Sequence, residues 1–196
     1  TVTLNPAVDE SYIVEDFSPG GWFRAGSSQK SPGGKGINVS LLLDQLGHES
    51  AAMGFLAGFS GDYIRDDLRR RRITTNFVHV QGDTRSNVYI IDKLGRVETG
   101  ISETGPSIPP DALNRFMANY KRMLSRASTV VLGGSIPPGV PQDIYRDLIS
   151  MANEAGITTF VDAAGPAFMA AIDAAPSFAK VDHRFMSQLS GKSLFS

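Results

Sequence analysis

A mostly parallel α/β fold is what this 196-residue sequence predicts, and three observations predict it. Short strand-like runs rich in β-branched residues alternate along the chain with longer stretches of helical periodicity. The succession "STVVLGG", "PQDIYRDLISMANEAG" and "ITTFVDAAG" is a strand, helix, strand unit of the kind that builds parallel sheets through right-handed crossovers. A glycine cluster, "SPGGKG" at 31–36, runs straight into an apolar helix, which marks a place where backbone approaches something closely.

The elements follow in order. "TVTLN" reads as a first strand whose alternation is already running at Thr1, so residues ahead of it are expected. "GINVSLLLDQLG" is a helix closed by Gly47, and "ESAAMGFLAG" is the next strand. "SGDYIRDDLRRRR" is a helix starting at an Asp cap and leading to the strand "FVHV". Its arginines, Arg69 to Arg72, read as a solvated helix end, where the backbone dipole favours cations. "NVYIIDKLGRVETGI" is a hairpin turning near Lys93 to Gly95. "SIPPDALNRFMANYKRMLSRA" sets Leu113, Phe116, Met117, Tyr120 and Leu124 on one core-facing stripe. Two segments break the alternation, residues 10–32 and 85–102. Both read as β material inserted between core elements, able to pair into a small sheet that could act as a lid over the end of the core. With no linker and no repeat, residues 1–196 form one domain.

Composition narrows the function. With 41% hydrophobic residues the chain can bury a core. A net charge of -1, from 19 basic and 20 acidic residues, leaves no electrostatic footprint for nucleic acid or an anionic membrane. Cysteine is absent and only three histidines are scattered along the chain, which argues against disulfides, thiolate chemistry and a zinc site. No apolar run approaches the ~18 residues of a membrane span. The expectation is a soluble cytoplasmic protein with a small ligand.

The glycine cluster fails two familiar templates. A dinucleotide fingerprint needs a third glycine where Val39 stands. A Walker loop needs glycine at Gln29 and a hydroxyl residue at Gly36. A glycine turn at a helix N-terminus remains, where N–H groups and the positive dipole end favour hydroxyl oxygens or anions. A tight structural turn explains it equally well at this point.

"TVTLNPAVD", "SPGGKGINV", "GDTRSN", "GGSIPPGVP" and "FVDAAG" resemble, in this order, the signature blocks of the 1-phosphofructokinase branch of the ribokinase-like (PfkB) carbohydrate kinases. The resemblance runs over nearly the whole chain and implies a ribokinase-like fold: a mostly parallel sheet flanked by helices, with a β lid. It implies phosphoryl transfer from ATP, with Mg2+, to fructose 1-phosphate, giving fructose 1,6-bisphosphate. Relatives acting on tagatose 6-phosphate or fructose 6-phosphate look similar. By the resemblance, Asp9 and Asn38 hydrogen-bond sugar hydroxyls while Gly33 and Gly34 close on the ring, and Lys35 is a further substrate contact. Arg24 and Arg85 match positions that contact the substrate's own phosphate, a task suited to a planar guanidinium fork. Asn87 and Ser135 are further polar contacts; Asp162 and Lys180 lie on the nucleotide side.

Departures from the family pattern matter as well. The Gly-Ala-Gly-Asp motif that carries the family's catalytic base does not occur, so no catalytic residue and no metal ligand is assigned here, and the chain is expected to be an incomplete domain lacking its C-terminal third. Asp182 and Phe185 stand where the Lys-Pro-Asn-x-x-Glu segment has Asn and Glu, and phenylalanine cannot serve a hydrated cation. A non-catalytic sugar-phosphate-binding relative is the alternative. A homodimer sharing its lids is a further implication of the resemblance, and exposed apolar sheet faces with poor solubility are expected of an incomplete domain.

Overall fold

The computed structural model describes residues 1–182 and 185–187. The first half runs β1 (Val2–Thr3), β2 (Ala7–Val14), β3 (Ser27–Gly33), α1 (Lys35–Gln45), β4 (Ala51–Ala57), α2 (Gly58–Arg70), β5 (Thr74–Val80), β6 (Arg85–Asp92) and β7 (Val97–Ser102). The second runs α3 (Pro110–Leu124), β8 (Thr129–Gly133), α4 (Ile144–Glu154), β9 (Thr158–Asp162), α5 (Gly165–Asp173) and β10 (Phe178–Lys180). Six strands form one parallel sheet in the order β10-β9-β8-β1-β4-β5.

Strand alternation sorts the side chains of this sheet onto two faces. Met53 and Phe55 of β4 join Phe116, Tyr120, Tyr145 and Leu148 of α3 and α4 in the larger core, while Ala52 and Leu56 pack with Ile37, Ile64 and Leu68 of α1 and α2. Each such side chain contributes about 1.5–3 kcal/mol on burial. The Tyr120 hydroxyl, fully buried, donates to the Leu148 carbonyl at 2.9 Å, so its polar end costs little there. Phe116 and Tyr120 both lie on the stripe read from the sequence.

Four strands outside this layer form the second sheet, in the order β3-β2-β6-β7. Its central pair, β2 and β6, is parallel, and the outer pairs are antiparallel. β2 already begins at Ala7, three residues ahead of the expected insert, because Ala7 pairs with both Gly33 and Arg85. The lid base is pinned to the core through Val8, which packs with Ile37 and Leu56, and through the Tyr63 hydroxyl of α2, which donates to the Lys30 carbonyl.

Helix ends show why the chain turns where it does. After α1, Gly47 sits at φ +79 and donates to the Asp44 carbonyl while His48 donates to Leu43, a Schellman closure of the free carbonyls. α2 starts at Gly58 rather than at an aspartate cap: Ala57 is its N-cap residue, and no side chain caps it. β4 therefore passes into the helix without a loop. Arg70 and Arg71 fold back onto Asp67 at 3.0 and 2.8 Å, in keeping with a solvated helix end. Among the described residues no helix is long and apolar enough to cross a membrane.

Candidate functional site

The chain lays β4 and β5 on one side of β1 and then β8, β9 and β10 on the other, so the strand order reverses between β1 and β8. Open α/β sheets bind ligands beyond the carboxyl ends of the strands at such a reversal. Here that position is framed by Asn5 after β1, Gly134 and Ser135 after β8, and the glycine bend ahead of α1. Each glycine in the bend has a steric reason. Gly34 is at φ +117; a Cβ on Gly36 would come within 2.6 Å of Thr3 Oγ1 and the Val2 carbonyl; a Cβ on Gly33 would lie 2.2 Å from the Asp9 carboxylate. The Thr3 hydroxyl accepts the Ile37 N–H at 2.9 Å and so holds the start of α1 over β1. The bend is thus a packing device that touches both the core at Thr3 and the lid at Asp9.

The lid brings three polar side chains together beside this bend. Asp9 and Asn87 are register partners on β2 and β6, and Asn87 Nδ2 donates to Asp9 Oδ1 at 2.7 Å. Asn87 Oδ1 in turn accepts from Arg85 Nη1 at 2.9 Å. The Arg85 guanidinium also donates from Nε to the Asn5 carbonyl at 3.2 Å and from Nη1 to the Glu103 carbonyl at 3.3 Å. Burial lowers its tendency to stay protonated, and the charge of Asp9 opposes that shift. Nε and Nη1 are thus engaged within the protein, and among the described residues no hydrogen bond is made by Nη2.

A second group gathers at the ends of β9 and β10. Asp162 accepts from Lys35 Nζ on one oxygen and from Lys180 Nζ, at 2.8 Å, on the other. Burial pushes its carboxyl up, but hydrogen bonds from Lys180 and Lys35 outweigh that and hold it below the ordinary carboxylate value. Lys35 therefore leans over Gly133 toward β9 rather than toward Asp9. Two lysine ammonium groups side by side suit a phosphate chain. They do not suit Mg2+: both Asp162 oxygens are taken, and the Phe185 ring packs edge-on against Phe168, with centroids 5.7 Å apart. A hard cation that needs oxygen ligands finds none ready in this group.

The remaining expected residues fall at different places. Ser135 is exposed at the end of β8, where its hydroxyl accepts from Asn5 Nδ2 at 3.2 Å. Asn38 is exposed on the first turn of α1. Arg24 is not brought to Asp9. Gly26 bonds back to the Ile13 carbonyl, which puts Arg24 in the loop beyond Ile13. Ile13 is four residues along β2 from Asp9, roughly 13 Å at the rise of a strand. There Arg24 lines a cavity with Trp22 and Lys93. Sequence reading missed Asn5 and Glu103. Asn5 stands inside the quoted block "TVTLNPAVD", so the signal was present; the Glu103 contact is through its backbone carbonyl, which no residue pattern reveals. The apolar cavity lined by Leu43, Met53 and Tyr120 lies at the opposite end of the sheet.

Comparison with known proteins bears on the family and the fold. The profile of the pfkB family carbohydrate kinases matches residues 2–194. The chain is 39% identical to 1-phosphofructokinase of Bacillus subtilis over 196 residues, all of this chain and 63% of that protein's length. A Thermotoga maritima crystal structure described as a possible 1-phosphofructokinase superposes with a TM-score of 0.88 at 40% identity, covering 93% of this chain and 59% of that one. Phosphofructokinase-2 of Escherichia coli in complex with fructose-6-phosphate superposes with a TM-score of 0.86 at 27% identity, over all of this chain and 64% of its own, and the same enzyme has been described in a tetrameric inhibited form. The chain spans just under two thirds of these relatives' length. With its parallel sheet, flanking helices and β lid in the ribokinase-like arrangement, the chain belongs to the pfkB family of carbohydrate kinases.

Proposed function

We propose that this chain forms the sugar-phosphate half of a 1-phosphofructokinase, which in the whole protein transfers a phosphoryl group from ATP to fructose 1-phosphate and yields fructose 1,6-bisphosphate. The observation that carries this reading is the chain Asp9, Asn87, Arg85 at the strand reversal. It sets a carboxylate for sugar hydroxyls next to a guanidinium for a phosphate. Asp9 and Asn38 orient the hydroxyls over Gly33 and Gly34; Arg85 Nη2 and the Ser135 hydroxyl take the substrate phosphate side. Lys35 and Lys180 face the nucleotide phosphates, with Asp162 keeping the two ammonium groups aligned. ATP, when bound, supplies the phosphoryl group, and positioning with charge stabilisation is the protein's part.

In the same reading Arg24 reaches a sugar phosphate from the lid of a second copy, as a homodimer would allow. Its distance from Asp9 on its own lid and the full exposure of Trp22 beside it support this. Calorimetric titration of the 196-residue chain with fructose 1-phosphate, fructose 6-phosphate, tagatose 6-phosphate and fructose tests the proposal. Fructose 1-phosphate should bind tightest; equal affinity for neutral fructose would refute the phosphate role. A second reading, a non-catalytic sugar-phosphate binder, is favoured by Phe185 packing into the core and by the lysines that occupy Asp162. ATP turnover by the 196-residue chain with fructose 1-phosphate would overturn that second reading.

A further inference from the structure

The junctions between lid and core are held in different ways. Where β6 leaves the core, Thr84 is tied to β4: its hydroxyl accepts the Ala57 N–H at 2.8 Å, and its own N–H donates to the Ala57 carbonyl. Where β3 returns, the glycine bend packs directly on Thr3. Where β7 returns, the Thr104 carbonyl accepts from a side chain on another element, Asn5 Nδ2, at 3.0 Å. The same amide nitrogen donates to Ser135 Oγ at 3.2 Å. Asn5 is only 5% exposed, and its Oδ1 is the buried side-chain acceptor without a hydrogen-bond partner among the described residues. It faces Gly105, at φ +92, where a Cβ would come within 2.3 Å of it.

Arg85 is tied to this position in two ways, one through main chain that any residue would keep and one that depends on the Asn5 side chain. Its Nε donates to the Asn5 carbonyl, and its Nη1 donates to the carbonyl of Glu103, the neighbour of the Thr104 that Asn5 clamps. Building on the sugar-phosphate reading above, we propose that Asn5 is a positioning residue that joins the lid return, the Arg85 guanidinium and the Ser135 hydroxyl into one phosphate-recognising unit. The unpaired oxygen is a cost to the fold, and the Asn5 amide nitrogen serves lid and core together. Asn5 touches no substrate in this assignment. It acts through Arg85 and Ser135.

The test has a ligand-free arm and a ligand arm, both on the 196-residue chain. In the first, NMR follows solvent exchange of the Arg85 Nη1 protons, whose Glu103 acceptor sits next to the Thr104 carbonyl held by the Asn5 side chain, in the wild-type chain and in Asn5→Ala and Asn5→Asp. Both substitutions should speed that exchange about tenfold or more, the change that loss of one hydrogen-bond anchor produces. An unchanged rate in a folded variant overturns the proposal whatever the ligand does. In the second arm, fructose 1-phosphate and fructose are titrated into the same variants and into Arg85→Ala with and without Asn5→Ala. Asn5→Ala should weaken fructose 1-phosphate about tenfold with little change for fructose, and should cost under about threefold once Arg85 is gone, since residues in one network are non-additive. Additive losses, or equal losses for both sugars, overturn it. Asn5→Asp keeps the side-chain shape while removing the donor, so it serves where Asn5→Ala fails to fold. A wild-type chain that passes the exchange arm yet does not bind fructose 1-phosphate refutes the sugar-phosphate reading and leaves the Asn5 latch standing.

Discussion

Two neighbouring parts of one sheet end differ sharply. At the β1–β8 reversal, Asp9, Asn87, Arg85 and Asn5 form a continuous chain of hydrogen bonds. At the β9–β10 margin, Phe160 and Phe178 stack with centroids 4.5 Å apart, yet Phe178 is 58% exposed, and the charges beside them are two lysines closing on Asp162. The first region links β2, β6 and the turn after β1 in one polar network that leaves the buried Asn5 Oδ1 unpartnered; the second holds an apolar pair, Phe160 on β9 and Phe178 on the three-residue edge strand β10, partly open to water. Connected polar networks recognise one ligand geometry, whereas a solvated ion triad next to an open aromatic face recognises charge alone.

That contrast can be broken from either side. Arg85→Ala should lower affinity for fructose 1-phosphate about a hundredfold, the scale of a lost charge-assisted contact, whereas Lys180→Ala should leave it within about threefold. Titration calorimetry reads both. Gly33→Ala should come next: its methyl group must push the Asp9 carboxylate away, with a stability loss of ~1–3 kcal/mol in urea denaturation and weaker sugar binding. Replacing Phe160 and Phe178 together by serine should cost ~1 kcal/mol of stability, raise solubility and leave sugar affinity alone. The smallest effect belongs to Asp162. Its folded-state proton affinity is depressed, so the folded chain binds fewer protons than the unfolded one. Its stabilising contribution is complete above the ordinary carboxylate range and fades below about pH 4. Asp162→Asn should flatten that acid limb by under ~1 kcal/mol, because Lys180 and Lys35 are largely solvated.

What the sequence made legible follows the range of the interactions. Gly47 closing α1, the stripe of α3 and the hairpin turn near Lys93 are set by residues a few positions apart, and they stand in the structure where local pattern puts them. The start of α2 was misread because Asp62 looks like a cap, while the helix begins wherever β4 can hand over, at Gly58. Asp9, Asn87 and Arg85 were each visible in signature blocks, and the fold brings them together. The anchoring of Arg85 was not visible, because it runs through the main-chain carbonyls of Asn5 and Glu103, which every residue type carries. Lys35 belongs to a partner 127 residues away, a pairing that adjacency in "PGGKG" could not suggest. Arg24 was visible as a residue type, but how far a strand carries it from Asp9 was not.

The parallel pairing of β2 with β6 has a consequence for how the molecule assembles. Asp9 and Asn87 meet across 78 residues of chain, and between them lie a helix pair and two strands of the main sheet. A hairpin could form by itself within microseconds, but this central pair cannot close until the intervening βαβ passage has compacted. The Asp9–Asn87 contact therefore forms only after the β4–α2–β5 unit it spans, and a lesion that slows that unit delays the lid with it.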